Sequence, residues 1–255
     1  MSVLRSTVTL LGLHRGPAAA LAVMLLATTA GLVAAHVGRR TVGWPSEQNF
    51  GLGQEWGYGE VFFAVQNVWA VGLLAWAAVR ARMPVLAGWA GAFAVLLVDE
   101  RLMLHEQAGG LISDRLPAVP HSHVGELVWL VAVAAVVGGV LVVLHLRSDA
   151  EGRAVSGVLV LLGAALFAAG VVVDFVHGIA DVGALNLALM TAEDGGEVAV
   201  MNLVVAFAFA VALLGHRPVF RSRLGRALGV RPAGDPPPGP GTARPAGREA
   251  ALADR

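Results

Sequence analysis

Asp99-Glu100-Arg101-Leu102-Met103-Leu104-His105-Glu106 closes an apolar run that begins at Pro84. From Pro84 to Val98 that run covers about 22 Å at about 1.5 Å per residue, against a hydrocarbon core about 30 Å thick. If it enters a bilayer, Asp99 and Glu100 lie inside the boundary rather than beyond it. A charge placed there costs roughly 2.5–3.5 kcal/mol on insertion scales, so the stretch is read by default as a functional site.

The composition supports the membrane reading. Of 255 residues, 56% are hydrophobic and 14% charged, with a mean hydropathy of +0.70. These values describe a polytopic membrane protein and not a soluble domain. There is no cysteine, which excludes disulfides, thiolate ligands and cysteine nucleophiles, so any metal must be held by oxygen and imidazole. All 18 basic residues are arginine, in a chain dominated by Ala, Gly, Val and Leu, which suggests a bacterial origin and a place in the cytoplasmic (inner) membrane. The arginines form no aromatic-interleaved patch on a soluble domain; membrane lipids are the expected partners and nucleic acid is not.

Six apolar segments have the length of a spanning helix: Pro17 to Val37, Val61 to Val79, Pro84 to Leu104, Leu127 to Leu146, Ser156 to Val176 and Val198 to Gly215. The expected fold is all-α, a six-span transmembrane bundle over residues 1–216. The first segment is longer than the apolar core of a secretory signal and is read as a retained span. Arg5, Arg15, Arg80, Arg82, Arg147, Arg153 and the eight arginines from Arg217 to Arg255 fall on one side of this arrangement. Arg39, Arg40 and Arg115 fall on the other. The positive-inside rule then puts both termini in the cytoplasm. Residues 217–255, rich in Arg, Pro and Gly, read as a disordered cytoplasmic tail whose first part contacts anionic lipid.

With that orientation, the acids and several histidines fall into one extracytoplasmic layer. Glu55 and Glu60 open the second span. Asp99, Glu100, His105 and Glu106 end the third, and His123 and Glu126 open the fourth. Asp174 and His177 end the fifth, and Glu193, Asp194 and Glu197 open the sixth. On a continuous helix Asp99 and Glu106, seven apart, share a face, and Arg101 with His105 form a second stripe. Asp174-x-x-His177 has the carboxylate-x-x-histidine spacing of bundle metal sites. Gly195-Gly196 between Glu193 and Glu197 suggests a helix start or break with free N–H groups. So many carboxylates in a low-dielectric layer require either neutralisation or a divalent ion. The expected ligands are Asp99, His105, Glu106, Glu126, Asp174, His177 and Glu197, around a divalent metal for which zinc leads and manganese or iron are alternatives. Gln66, Asn67 and Asn202 read as interhelical hydrogen-bonding groups.

The pattern Asp99-Glu100-x4-His105-Glu106, Gly125-Glu126, Asp174-x-x-His177 and Glu193-Asp194-Gly195-Gly196-Glu197 resembles a group of uncharacterised bacterial multi-span membrane proteins, across nearly the whole chain before the tail. The layout is also distantly similar to ceramidase-like membrane hydrolases, in which aspartate and histidines from several spans hold zinc and activate water. It departs from them in span number, in lacking their serine motif and in its excess of carboxylate over histidine, so no residue roles are carried across. The expectation is a metal-dependent membrane hydrolase acting on a lipid or lipid-linked bond. Glu106 or Glu193 would serve as proton acceptor, and Arg101 would orient an anionic head group. The alternatives are a cation or proton transporter, or a structural or sensing protein stapled by its metal.

Overall fold

The computed structural model describes residues 3–115, 122–173 and 186–219, and over these the chain is helical with no strand. The helices are α1 (Val3–Leu10), α2 (Gly16–Val42), α3 (Tyr58–Ala81), α4 (Pro84–Leu102), α5 (Leu104–Arg115), α6 (Ser122–Arg147), α7 (Ala150–Phe167, continued by a π-helical turn over Ala168–Val172) and α8 (Asn186–Leu214). Among the described residues, five stretches are long and apolar enough to cross a membrane: Gly16–Val42, Tyr58–Ala81, Val124–Arg147, Ala150–Gly170 and Asn186–Leu214. The 19-residue α4 is apolar up to Val98 and carries Asp99, Glu100 and Arg101 in its last turn.

Local chemistry sets several helix ends. Pro17 and Pro84 stand in the first turns of α2 and α4, where a missing N–H costs nothing. Asp149 caps α7 by accepting from the Gly152 N–H at 2.7 Å. At the end of α8, Gly215 takes a left-handed φ of 59° and the His216 N–H returns to the Ala210 carbonyl at 2.9 Å, which closes the helix.

The centre of the bundle is α8, buried on nearly all sides between Met201 and Ala212, as a helix apolar around its circumference must be. It packs against α2, α3 and α7, and α3 packs in turn against α4. Leu74, Leu86, Leu159, Met201 and Phe207 fill the core. At the edge, α6 leaves its apolar window unburied and lies against α5 and α4. Half-way along the bundle, the Gln66 amide donates to Asn202 Oδ1, and Asn202 Nδ2 donates to Thr29 Oγ1 at 2.8 Å, tying α3, α8 and α2 together. Gln66 and Asn202 are interhelical links, as their positions within apolar spans suggested, whereas Asn67 bonds within α3, donating to the Phe63 carbonyl at 3.1 Å.

Two expectations fail here. The segment Pro84 to Leu104 is not one helix, because Met103 adopts φ 50°, ψ 42° and ends α4. Asp99 and Glu106 therefore do not share a helical face, and Arg101 with His105 do not form a stripe. Nor do Gly195 and Gly196 start or break a helix: α8 is already formed at Asn186, and both glycines lie in its interior with their N–H groups within the helix. Their role is packing, since Gly195 lies against Val33 and Leu52, and Gly196 against Ala169.

Candidate functional site

The bundle has an acidic end and an arginine-rich end. Asp99 stands 15 residues into α4 and Glu197 17 residues before the end of α8, so both lie about 22–26 Å from the arginine-rich end, in one layer.

The break at Met103 builds the site. It turns the chain so that His105, the second residue of α5, folds back on α4, and His105 Nδ1 lies 2.8 Å from Asp99 Oδ2. Trp129 of α6 donates its indole N–H to Asp99 Oδ1 at 3.0 Å. Both oxygens of this carboxylate, only 7% exposed, are thus engaged. Asp99 holds one nitrogen of the His105 ring, and the other, Nε2, lies 4.0 Å from the solvent-exposed Glu106 Oε1. The arrangement of α6 depends on Gly125: a side chain there would collide with the Gly109 backbone of α5. Glu126, next in sequence, is half-buried and engaged one turn before Trp129.

Beside this pair, Arg101 Nη2 contacts Glu60 Oε2 at 3.3 Å, and its guanidinium lies 5.1 Å from the Trp56 ring centroid. Glu60 Oε2 also accepts the Trp56 backbone N–H at 2.5 Å, holding Trp56 at a left-handed φ of 59°. Such a conformation is strained for a bulky aromatic and is retained where surrounding contacts fix it. Buried Arg101 Nε finds no acceptor among the described residues.

The chain matches a family described as a domain of unknown function (DUF8692) over residues 18–213. It belongs to the DUF8692 family. No curated protein and no solved structure matches it. The DUF8692 span takes in the whole acidic layer, including Glu60, Asp99, His105, Trp129 and Glu197, and stops short of His216 and Arg217.

The remaining acids of the DUF8692 domain sit on α8. Asp194 lies against Gly53 in the loop before α3, and Glu197 presses against Gly170 in the π-turn of α7, leaving no room for a side chain there. Glu193 is half-buried and engaged on the same helix. Leu52 joins the two halves of the layer: it lies against Gly59 and Gly195, and its N–H donates to buried His36 Nδ1 at 3.0 Å. Asp174 and His177 lie outside the described residues. Among those described, no three His, Asp or Glu side chains meet in a metal-holding group. The expected set is therefore divided. His105 lies between Asp99 and Glu106, Glu193 and Glu197 belong to α8, and Arg101 pairs with Glu60. Sequence reasoning missed Trp129, whose only signal was its place one helical turn after Glu126, and missed Trp56 as the platform for Arg101.

Proposed function

We propose that this DUF8692 chain is a six-span membrane protein with both termini in the cytoplasm and a hydrolytic site on the opposite side, centred on His105. The observation that carries the reading is the Asp99–His105 contact of 2.8 Å with Nε2 left facing Glu106. A ring nitrogen held by a carboxylate fixes the tautomer and makes the other nitrogen a better base or ligand, the usual arrangement behind metal-binding histidine. His105 Nε2 and Glu106 are then the first ligands of a divalent cation, and Asp99 orients the ring without contacting the ion. Such an ion, when bound, polarises an ester or phosphoester oxygen and lowers the pKa of water. Arg101, held by Glu60 and Trp56 with its Nε unsatisfied, receives the anionic part of a lipid or lipid-linked substrate. The site's level below the acidic surface suits a bond close to a head group.

Elemental analysis of the purified full chain, offered zinc, manganese and iron in turn, tests the reading. Wild type retains one transition metal per chain, His105→Ala retains none while melting as a folded protein, and wild type cleaves lipid-linked esters in vesicles while Glu106→Gln does not. A chain that binds no metal overturns the metal site; a metal-loaded chain without hydrolysis leaves it a staple. One observation favours a second reading, cation or proton transport: Gln66 Oε1 and Asn67 Oδ1 are buried in mid-helix without a donor among the described residues. Intramembrane polar groups of this kind mark ion pathways, and flux across vesicles containing the chain tests it.

A further inference from the structure

The seam between α3 and α8 opens twice on one line. At the arginine-rich end is a cavity of about 170 Å³, lined by Ala77, Arg80 and Ala81 of α3, by Ala212 and Leu213 of α8, and by Arg217 beyond it. Farther into the bundle, the same two helices with Leu21 of α2 border an open apolar groove of about 420 Å³, lined by Val68, Trp69, Leu73, Val205 and Phe209. Trp69, Leu73, Ala77 and Arg80 follow one another at helical spacing along α3, as do Val205, Phe209 and Leu213 along α8, so the groove and the cavity lie in succession along one seam. Gly72 borders the open space of the groove, since a Cβ there would meet nothing within 4 Å. From Arg80 to Trp69 is eleven residues, about 16 Å, which is half the thickness of the hydrocarbon core.

The two openings differ in chemistry. Arg217 pairs with Glu151 of α7 through its Nε and donates from Nη1 to the His216 carbonyl at 3.2 Å, whereas exposed Arg80 has no carboxylate partner among the described residues. The cavity therefore carries an uncompensated positive charge at the level of the lipid head groups, and the groove is wholly apolar. We infer that the α3–α8 seam binds one anionic glycerophospholipid, with its phosphate between Arg80 and Arg217 and one acyl chain in the groove over Gly72. Basic pockets between spanning helices recognise anionic head groups in this way. The inference is independent of the chemistry proposed for the acidic end, because no residue is shared.

Native mass spectrometry of the full chain, equilibrated with phosphatidylglycerol and phosphatidylcholine of identical acyl chains, is the test. Wild type retains one phosphatidylglycerol in preference to phosphatidylcholine. Arg80→Ala lowers that preference about fivefold, the weight of one basic residue at an anionic surface, and Arg80→Lys restores it. Arg82→Ala, outside the cavity, leaves it unchanged. Gly72→Leu, which fills the groove and raises helix propensity, lowers retention of both lipids without altering their ratio. Equal retention of the two lipids by wild type, an Arg82→Ala effect equal to that of Arg80→Ala, or unchanged retention in Gly72→Leu overturns the site. Melting curves establish that each variant is folded.

Discussion

Asp99 receives two donors, the Trp129 indole N–H and the His105 ring, and an amide in its place has only one acceptor oxygen. Asp99→Asn must therefore either set its NH2 against a donor, at about 1–3 kcal/mol, or turn the NH2 toward His105 and reverse the imidazole tautomer. Reversal puts the proton on Nε2, the atom that the proposed site needs unprotonated. The expected outcome is a chain that keeps its fold and His105 but loses bound metal in elemental analysis; an Asp99→Asn protein that binds metal like wild type removes Asp99 from the site. The place of Asp99 in the last turn of an apolar helix was legible in the sequence because it depended only on distance along one chain segment. Trp129 as the partner of Asp99 and Glu60 as the partner of Arg101 were not legible, because those contacts join helices 30 or more residues apart and no local pattern encodes them.

The break at Met103 is the feature on which the site turns, and nothing in the sequence marks it. Where α2, α4, α7 and α8 begin or end, a proline, a capping aspartate or a glycine at Gly43 or Gly215 carries the signal. Met103 is instead a bulky residue at φ 50°, held by its surroundings: its own N–H bonds the Asp99 carbonyl, its carbonyl accepts from Gln107 N at 3.1 Å, and the Gln107 side chain donates to the Leu102 carbonyl at 2.6 Å. A left-handed conformation costs an L-residue about 1–2 kcal/mol, most of which glycine avoids. Met103→Gly is expected to raise the melting temperature, by up to about 1 kcal/mol in stability, whereas in a continuous helix the same change would cost about 1 kcal/mol. The Gly195-Gly196 pair misled in the opposite direction: glycine weakens an isolated helix, but here close packing of α8 against Val33, Leu52 and Ala169 outweighs that propensity. A second prediction belongs to the opposite end of α8. His216, 4% exposed, packs over Gly12 and Phe207 and bonds the Leu10 carbonyl through Nε2 at 2.9 Å. Burial pushes its pKa below the usual histidine value; the Leu10 bond opposes this, and Arg15 and His14 add to it. The unfolded chain takes up a proton below about pH 6.5 that the folded chain resists, so stability is full above that pH and falls as the pH drops toward the lowered folded value. Melting at pH 7.5 and pH 5.5 should show a larger loss for wild type than for His216→Gln, which keeps a donor for Leu10; equal losses would exclude His216 as the source.

At the scale of the molecule, apolar length and arginine placement were enough to suggest spans, because hydropathy and charge are properties of single segments. How the segments close on one another was not readable, and that closure bears on the number of crossings. Glu60 opens α3 and Arg101 ends α4, yet their side chains meet at 3.3 Å, while only Arg82 and Met83 separate the two helices at the other end. The pair is therefore an antiparallel hairpin, and α4 returns across whatever thickness α3 traverses. On the six-span reading Gln107 lies outside, and Arg82 and Arg147, at the far ends of α4 and α6, lie inside. Because the chain has no cysteine, single substitutions report without background. Gln107→Cys is expected to react with a membrane-impermeant maleimide in intact cells, and Arg82→Cys and Arg147→Cys only after permeabilisation. Reaction of Arg82→Cys and Gln107→Cys from the same side would mean that α4 does not cross. The hairpin would then lie against one face of the membrane, and the acidic layer would not be buried below a surface at all. The depth argument for Asp99 and the sixth span thus stand or fall on this one comparison.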